Sequence, residues 1–119
     1  MTASLHQFKA ELFKALAHPA RIHLLEILRE GEHTVGELQA RVGIDASSVS
    51  QHLAILRGRR IVDARKAGTS VYYRVRDPRL FAILDAGRAI FAAQVRGLQD
   101  ALDAAPAPDA VAARGGTPE

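Results

Sequence analysis

Residues 44 to 74, IDASSVSQHLAILRGRRIVDARKAGTSVYYR, constrain the fold more than any other stretch of the chain. Asp45 has the side chain of a helix N-cap, and Val49, Leu53 and Leu56 follow at the spacing of one buried helical stripe. At about 100° per residue, the side opposite that stripe carries Ser47, Gln51, Ala54 and Gly58, with Ser48 and Ile55 beside them and Ser50 and His52 nearer the flanks. Arg57, Arg59 and Arg60 close the helix. Residues 62 to 66 and 70 to 75 then alternate or enrich in β-branched and aromatic types around Ala67-Gly68-Thr69, which predicts a hairpin with glycine at its turn. A helix with a short polar outer face, followed by a cationic hairpin, is the order needed to set one element in a groove of duplex DNA and a second on its backbone.

Charge is concentrated in the same place. From Arg57 to Arg79 there are eight basic residues (Arg57, Arg59, Arg60, Arg65, Lys66, Arg74, Arg76, Arg79) against Asp63 and Asp77, a local +6 within a chain of net charge +3. The remainder therefore sums to −3. A modest total conceals a basic surface of the kind that binds nucleic acid. At 119 residues and 48% hydrophobic content the chain fits one small domain with a core. No run approaches the roughly 18 apolar residues of a membrane span, and the N-terminus lacks a signal-peptide layout, so no membrane partner and a cytoplasmic location are expected. The absence of cysteine excludes disulfides, thiolate metal sites and thiol redox switches.

On either side of this segment the pattern is helical. Leu5, Phe8, Leu12, Phe13 and Leu16 predict an amphipathic helix over 4–17, stopped near His18 by Pro19, which then opens a second helix carrying Ile22, Leu24, Leu25, Ile27 and Leu28 and ending at Gly31. Thr34 with Glu37 forms a capping-box pattern for a short third helix, with Val35, Leu38 and Val42 inward and Gly43 as its stop. Asp77-Pro78 predicts the start of a long last helix reaching about Asp103. Along it Leu80, Leu84, Gly87, Phe91, Val95, Leu98 and Leu102 form a nearly coiled-coil stripe, widened by Phe81, Ile83 and Ile90. So broad an apolar face exceeds what one small domain covers. It predicts, with the first helix, a homodimer interface of Leu5, Phe8, Leu12, Leu84, Phe91, Val95 and Leu98. Residues 1–103 are expected to form the DNA-binding and dimerisation domain, and 104–119, rich in alanine, proline and glycine, a disordered tail.

The segments FKALAHPARIHLLEIL (13 to 28), VGELQARVGI (35 to 44), SSVSQHLAILRGRRIV (47 to 62) and GTSVYYRV (68 to 75) together resemble the ArsR/SmtB family of bacterial winged-helix repressors, in order across roughly residues 8 to 100. That resemblance implies a mainly α winged helix-turn-helix: four helices, a β-hairpin wing and a fifth helix, paired as a homodimer through the first and last helices. It also implies a protein that sits on a promoter and leaves when an inducer binds.

On this reading Ser47, Ser48, Gln51 and His52 face base edges, Gln51 foremost because an amide can both donate to and accept from adenine. Arg57, Arg59, Arg60, Arg65 and Lys66 neutralise phosphates or enter the minor groove. His52 lies near the edge of the buried stripe, where a packed, hydrogen-bonded role competes with base contact. Of Tyr72 and Tyr73, on opposite faces of a strand, one should pack on the domain. The partners expected are therefore double-stranded DNA and a second copy of the chain. A protein-interaction module whose basic hairpin docks on an acidic partner is the rival reading. An enzyme is not indicated, since no nucleophile-base pair, phosphate loop or closed ligand set is recognisable.

The sensing residues of the resembled family are replaced. Where thiolate-sensing relatives carry Cys-Val-Cys at the start of the third helix, this chain has Thr34-Val35-Gly36, and along the last helix Asp85 is followed by Gly87 with no histidine after His52. His6, His18, His23, His33 and His52 show no ligand spacing, so neither a metal nor another cofactor is expected. A small apolar molecule between the first and last helices, a protein partner, or no inducer at all fits the sequence equally.

Overall fold

The computed structural model describes residues 4–105. In chain order the elements are α1 (Leu5–Leu16), α2 (Pro19–Leu28), β1 (His33–Thr34), α3 (Val35–Val42), α4 (Ala46–Gly58), β2 (Val62–Ala67), β3 (Ser70–Val75) and α5 (Leu80–Ala104). The chain divides into a unit ending at Leu84 and a second beginning at Asp85, which among the described residues is the remainder of α5.

In the first unit each helix begins where a side chain takes over an unpaired backbone amide. Ser4 Oγ accepts from the Gln7 amide at α1, His18 Nδ1 from Ala20 at α2 and Asp45 Oδ2 from Ser48 at α4. Thr34 and Glu37 close the reciprocal capping box at α3, at 3.2 and 2.9 Å. Gly43 ends α3 at φ +82°, a conformation glycine adopts without a Cβ penalty. The short α3-to-α4 link that results is the turn of a helix-turn-helix.

The core is Leu24, Leu25, Leu38, Val49, Leu53, Leu56 and Val62, all essentially inaccessible, with Leu16, Ile27, Leu28, Ile61 and Leu80 around them. Three of these come from α4. At about 1.5–3 kcal/mol per buried aliphatic side chain, Val49, Leu53 and Leu56 hold that helix in one rotational setting. Its opposite face is thereby fixed outward.

The hairpin pairs Val62 with Val75 through Ala67 with Ser70, leaving a two-residue loop, Gly68-Thr69, with Gly68 at φ +64°. Only the first loop residue has positive φ, as a II′ hairpin turn requires. The sheet also has a third strand that the sequence did not reveal. Two residues, His33 and Thr34, pair antiparallel with Tyr73 and Tyr72, giving the order β1-β3-β2. A two-residue strand is too short to leave an alternating pattern. The start of α5 also differs from expectation by two residues. Leu80, Phe81 and Ala82 donate three residues back, to Asp77, Pro78 and Arg79, so a tight turn precedes the first α-helical bond.

Candidate nucleic-acid interface

Along α4, Ser47 and Gln51 are exposed and their side chains have no hydrogen-bond partner among the described residues. Ala54 and Gly58 continue the same open face. Ser48 is half-buried and its hydroxyl donates to Asp45 Oδ1 at 2.7 Å, so its proton belongs to the helix cap. These two bonds from Ser48 hold the Asp45 carboxyl below its usual range, the side-chain bond contributing most. Ser50, which the sequence left between buried and open, is exposed and lines a groove with Ala54, Arg57 and Tyr73.

His52 takes the packed position. It is half-buried, its ring centroid lies 4.4 Å from that of His18, and Arg21 Nη1 approaches its Nδ1 at 3.4 Å. Burial, then His18 and Arg21, push its pKa below the ordinary histidine value. A guanidinium can only donate, so in this contact the His52 ring accepts through Nδ1. No sequence signal marks this meeting of α2 with α4, because the residues lie 31 or more positions apart.

The cationic residues divide into two groups. Arg59 bonds Glu11 of α1 at 2.8 Å, and Arg65 forms a two-pronged pair with Glu32 at 2.7 and 3.1 Å while its guanidinium stacks 5.1 Å from the Tyr72 centroid. Arg74 and Arg76 approach Asp63 at 3.6 and 3.8 Å, and Arg79 chelates Asp77. Arg57, Arg60 and Lys66 have no carboxylate partner among the described residues. The local +6 is thus unevenly available. Three cations stand unpaired at the end of α4 and in the wing, beside the Ser47–Gln51 ridge in sequence and on the same supersecondary unit.

Arg60 is also the one described non-glycine residue in the left-handed region, at φ +60°. It occupies the position after the α4 cap. The Arg60 amide donates to the Arg57 carbonyl and the Ile61 amide to the Leu56 carbonyl, the two bonds of a Schellman motif, with Ile61 and Leu56 both buried. Glycine is usual there; arginine holds a guanidinium at the foot of the helix instead.

Of the apolar residues expected at a dimer interface, Leu12 and Leu84 are half-buried against the first unit's own core. Leu5 and Phe8 on α1 are 64% and 60% exposed. In the second unit Ile90, Phe91, Val95, Leu98 and Leu102 are all exposed, Phe91 at 67%. Tyr73 packs on the core and Tyr72 lies under Arg65, which settles the division of labour between the two tyrosines. Among the described residues no cluster of three or more His, Cys, Asp or Glu side chains is placed to hold a metal, and no helix is long and apolar enough to cross a membrane.

A capped helix-turn-helix joined to a twisted basic hairpin is a winged helix, a DNA-binding class. Residues 18–64 match the family described as bacterial regulatory protein, arsR family. The chain is 43% identical over 89 residues to the HTH-type transcriptional regulator Rv0081 of Mycobacterium tuberculosis strain H37Rv, covering 74% of this chain and 78% of that one. The crystal structure of M. tuberculosis Rv0081 superimposes with a TM-score of 0.70 at 40% identity, over 85% of this chain and 99% of that one. A biofilm growth-associated repressor of Agrobacterium fabrum is 40% identical over 89 residues, 75% of this chain and 76% of that protein. A homodimeric winged helix-turn-helix DNA-binding domain from Mycobacterium bovis, solved by NMR, matches at TM-score 0.66 and 32% identity, over 71% of this chain and 82% of that one. The chain belongs to the arsR family of bacterial regulatory proteins, a class of transcriptional regulators and not of enzymes.

Proposed function

We propose that the chain acts as a homodimeric repressor that reads an inverted-repeat operator and works by binding alone, without catalysis. The observation that carries this is the unpartnered Ser47–Gln51 ridge on a helix whose other face is locked into the core, accompanied by unpaired Arg57, Arg60 and Lys66. Gln51 and Ser47 read base edges in the major groove; the three free cations, with Arg59 and Arg65 once released from Glu11 and Glu32, neutralise phosphates. Ser48 and His52 support the helix, as cap partner and packed ring. Pairing of two chains through the exposed faces of α1 and α5 places two recognition helices about 34 Å apart, one turn of the duplex. The names of the relatives, a repressor and a homodimeric DNA-binding domain among them, support the same reading. With no cysteine in the chain, the signal that releases it is not a thiol reaction.

The test is selection of duplexes from a random pool, followed by fluorescence anisotropy across a salt series. Gln51→Ala should change the preferred base at one position in each half-site by about 1–3 kcal/mol of discrimination. Lys66→Ala should weaken all duplexes alike and lower the salt slope by about one per half-site. Equal losses with unchanged preference in both variants would overturn the assignment, as would affinity that does not depend on salt.

A further inference from the structure

In the first unit, a cleft of about 430 Å³ opens between α1, the foot of α4 and the start of α5. Phe8, Leu12, Ile61, Leu80 and Ile83 supply its apolar lining, and Arg59, Arg60, Asp77 and Arg79 its charged lining. The size is that of a small-molecule site, and the composition, apolar with a few convergent polar groups, is that of one too.

The charges of the lining decide what would fit. Arg59 is neutralised by Glu11 at 2.8 Å, and Arg79 by the two oxygens of Asp77, a carboxylate held down to about 2 by that guanidinium and therefore ionised at any working pH. Arg60 alone has no carboxylate, and it also lines a smaller adjoining cleft of about 200 Å³ with Phe8, Glu11 and Leu12. The site thus has one uncompensated positive charge over an apolar wall. A cation is repelled, a polyanion finds too few partners, and a neutral apolar molecule gains nothing from the guanidinium.

We propose that this cleft binds an amphipathic monocarboxylate, its carboxylate on Arg60 and its hydrocarbon body against Leu12, Ile61 and Ile83, and that occupancy weakens DNA binding. The weakening rests on the function proposed above: a guanidinium committed to a ligand carboxylate is lost to a phosphate. Its position directly after α4 puts the ligand at the foot of the recognition helix, where the same arginine serves both occupants in turn. The site requires no thiol and no metal, which suits a chain that has no cysteine.

Decanoate, below its micellar concentration, is the probe, with decanol and decyltrimethylammonium as comparators. Binding to the full-length protein without DNA is followed by calorimetry and by the NMR methyl signals of Ile61 and Ile83. The expected result is saturable binding of decanoate, one per protomer, shifting both methyl groups. Decanol, and decanoate on Arg60→Gly, should bind about tenfold more weakly, the loss of one charge-assisted hydrogen bond. Glycine suits the backbone at φ +60°, so this variant removes the charge without straining the fold. Lys66→Ala should bind decanoate as the parent does. No saturable shift, equal binding of the three probes, or undiminished binding to Arg60→Gly would each overturn the site. So would binding seen only with a monomeric variant, because a second copy would then be the occupant. Unchanged DNA affinity at saturating decanoate refutes the regulatory coupling. Absence of DNA binding by the unliganded protein refutes the proposed function instead and leaves the decanoate titration to be judged separately.

Discussion

Replacing Arg60 with glycine should stabilise the protein while weakening its hold on DNA. At φ +60° an L-residue suffers its Cβ against the neighbouring carbonyl, a cost of about 1–2 kcal/mol that glycine does not bear. Against this, glycine gains freedom in the unfolded chain, which removes about 0.4–1 kcal/mol. The Arg60 side chain is exposed and forms no ion pair among the described residues, so little else is lost. The difference is a gain of about 0.5–1 kcal/mol, or a few degrees in Tm for a domain of this size. Urea unfolding at fixed protein concentration measures it, concentration being held constant because dimerisation shifts apparent stability. Arg60→Ala is the control. It removes the same guanidinium but keeps the Cβ, so it should gain nothing, while both variants lose the same phosphate contact. If alanine stabilises as much as glycine, or if glycine destabilises, the strain argument is refuted.

Three further outcomes follow from particular contacts. Glu32→Gln should free Arg65 from its two-pronged pair and strengthen binding to all duplexes alike, with a steeper salt dependence; unchanged affinity would show that the exposed pair already exchanges freely with phosphate. Stability should fall on acidification below about pH 6.5, because His52, its pKa lowered by burial and by His18 and Arg21, takes up a proton more readily unfolded than folded. Its contribution is complete above the unfolded value and is lost as pH falls through the folded one, so unfolding midpoints near pH 7.5 and pH 5 should converge in His52→Gln. Finally, Phe91→Asp should dissociate the dimer: burying that ring in both protomers contributes about 3–6 kcal/mol, so sedimentation should show dimerisation weakened about 100-fold or more. A dimer of undiminished affinity would remove Phe91 from the interface.

The elements that the sequence made legible are those governed by local chemistry. Thr34 with Glu37, Gly43, Asp45 and Gly68 each act within four residues of themselves, and each sits where its side chain or its lack of one predicts. The buried stripe of α4 follows from helical periodicity in the same way. What was hidden depends on residues distant in the chain. Glu11 lies 48 positions from Arg59 and Glu32 lies 33 from Arg65, so counting charges overstated how many cations stand free. The two-residue β1, the His18–Arg21–His52 contact and the left-handed Arg60 have no periodic or compositional trace. Of the expected tail, residues from 106 on lie outside the described residues, and α5 runs to Ala104.

Thr34 has two duties: its hydroxyl caps α3 and its backbone pairs with Tyr72 of the wing strand. The first helix of the helix-turn-helix and the hairpin are therefore riveted at a single residue, and the wing cannot swing without disturbing the start of α3. Both arms reach a duplex already set at their working separation, like the jaws of a fixed gauge. On the mode of DNA binding proposed above, little motional freedom remains to be surrendered on contact, and groove spacing is selected by geometry alongside the base contacts.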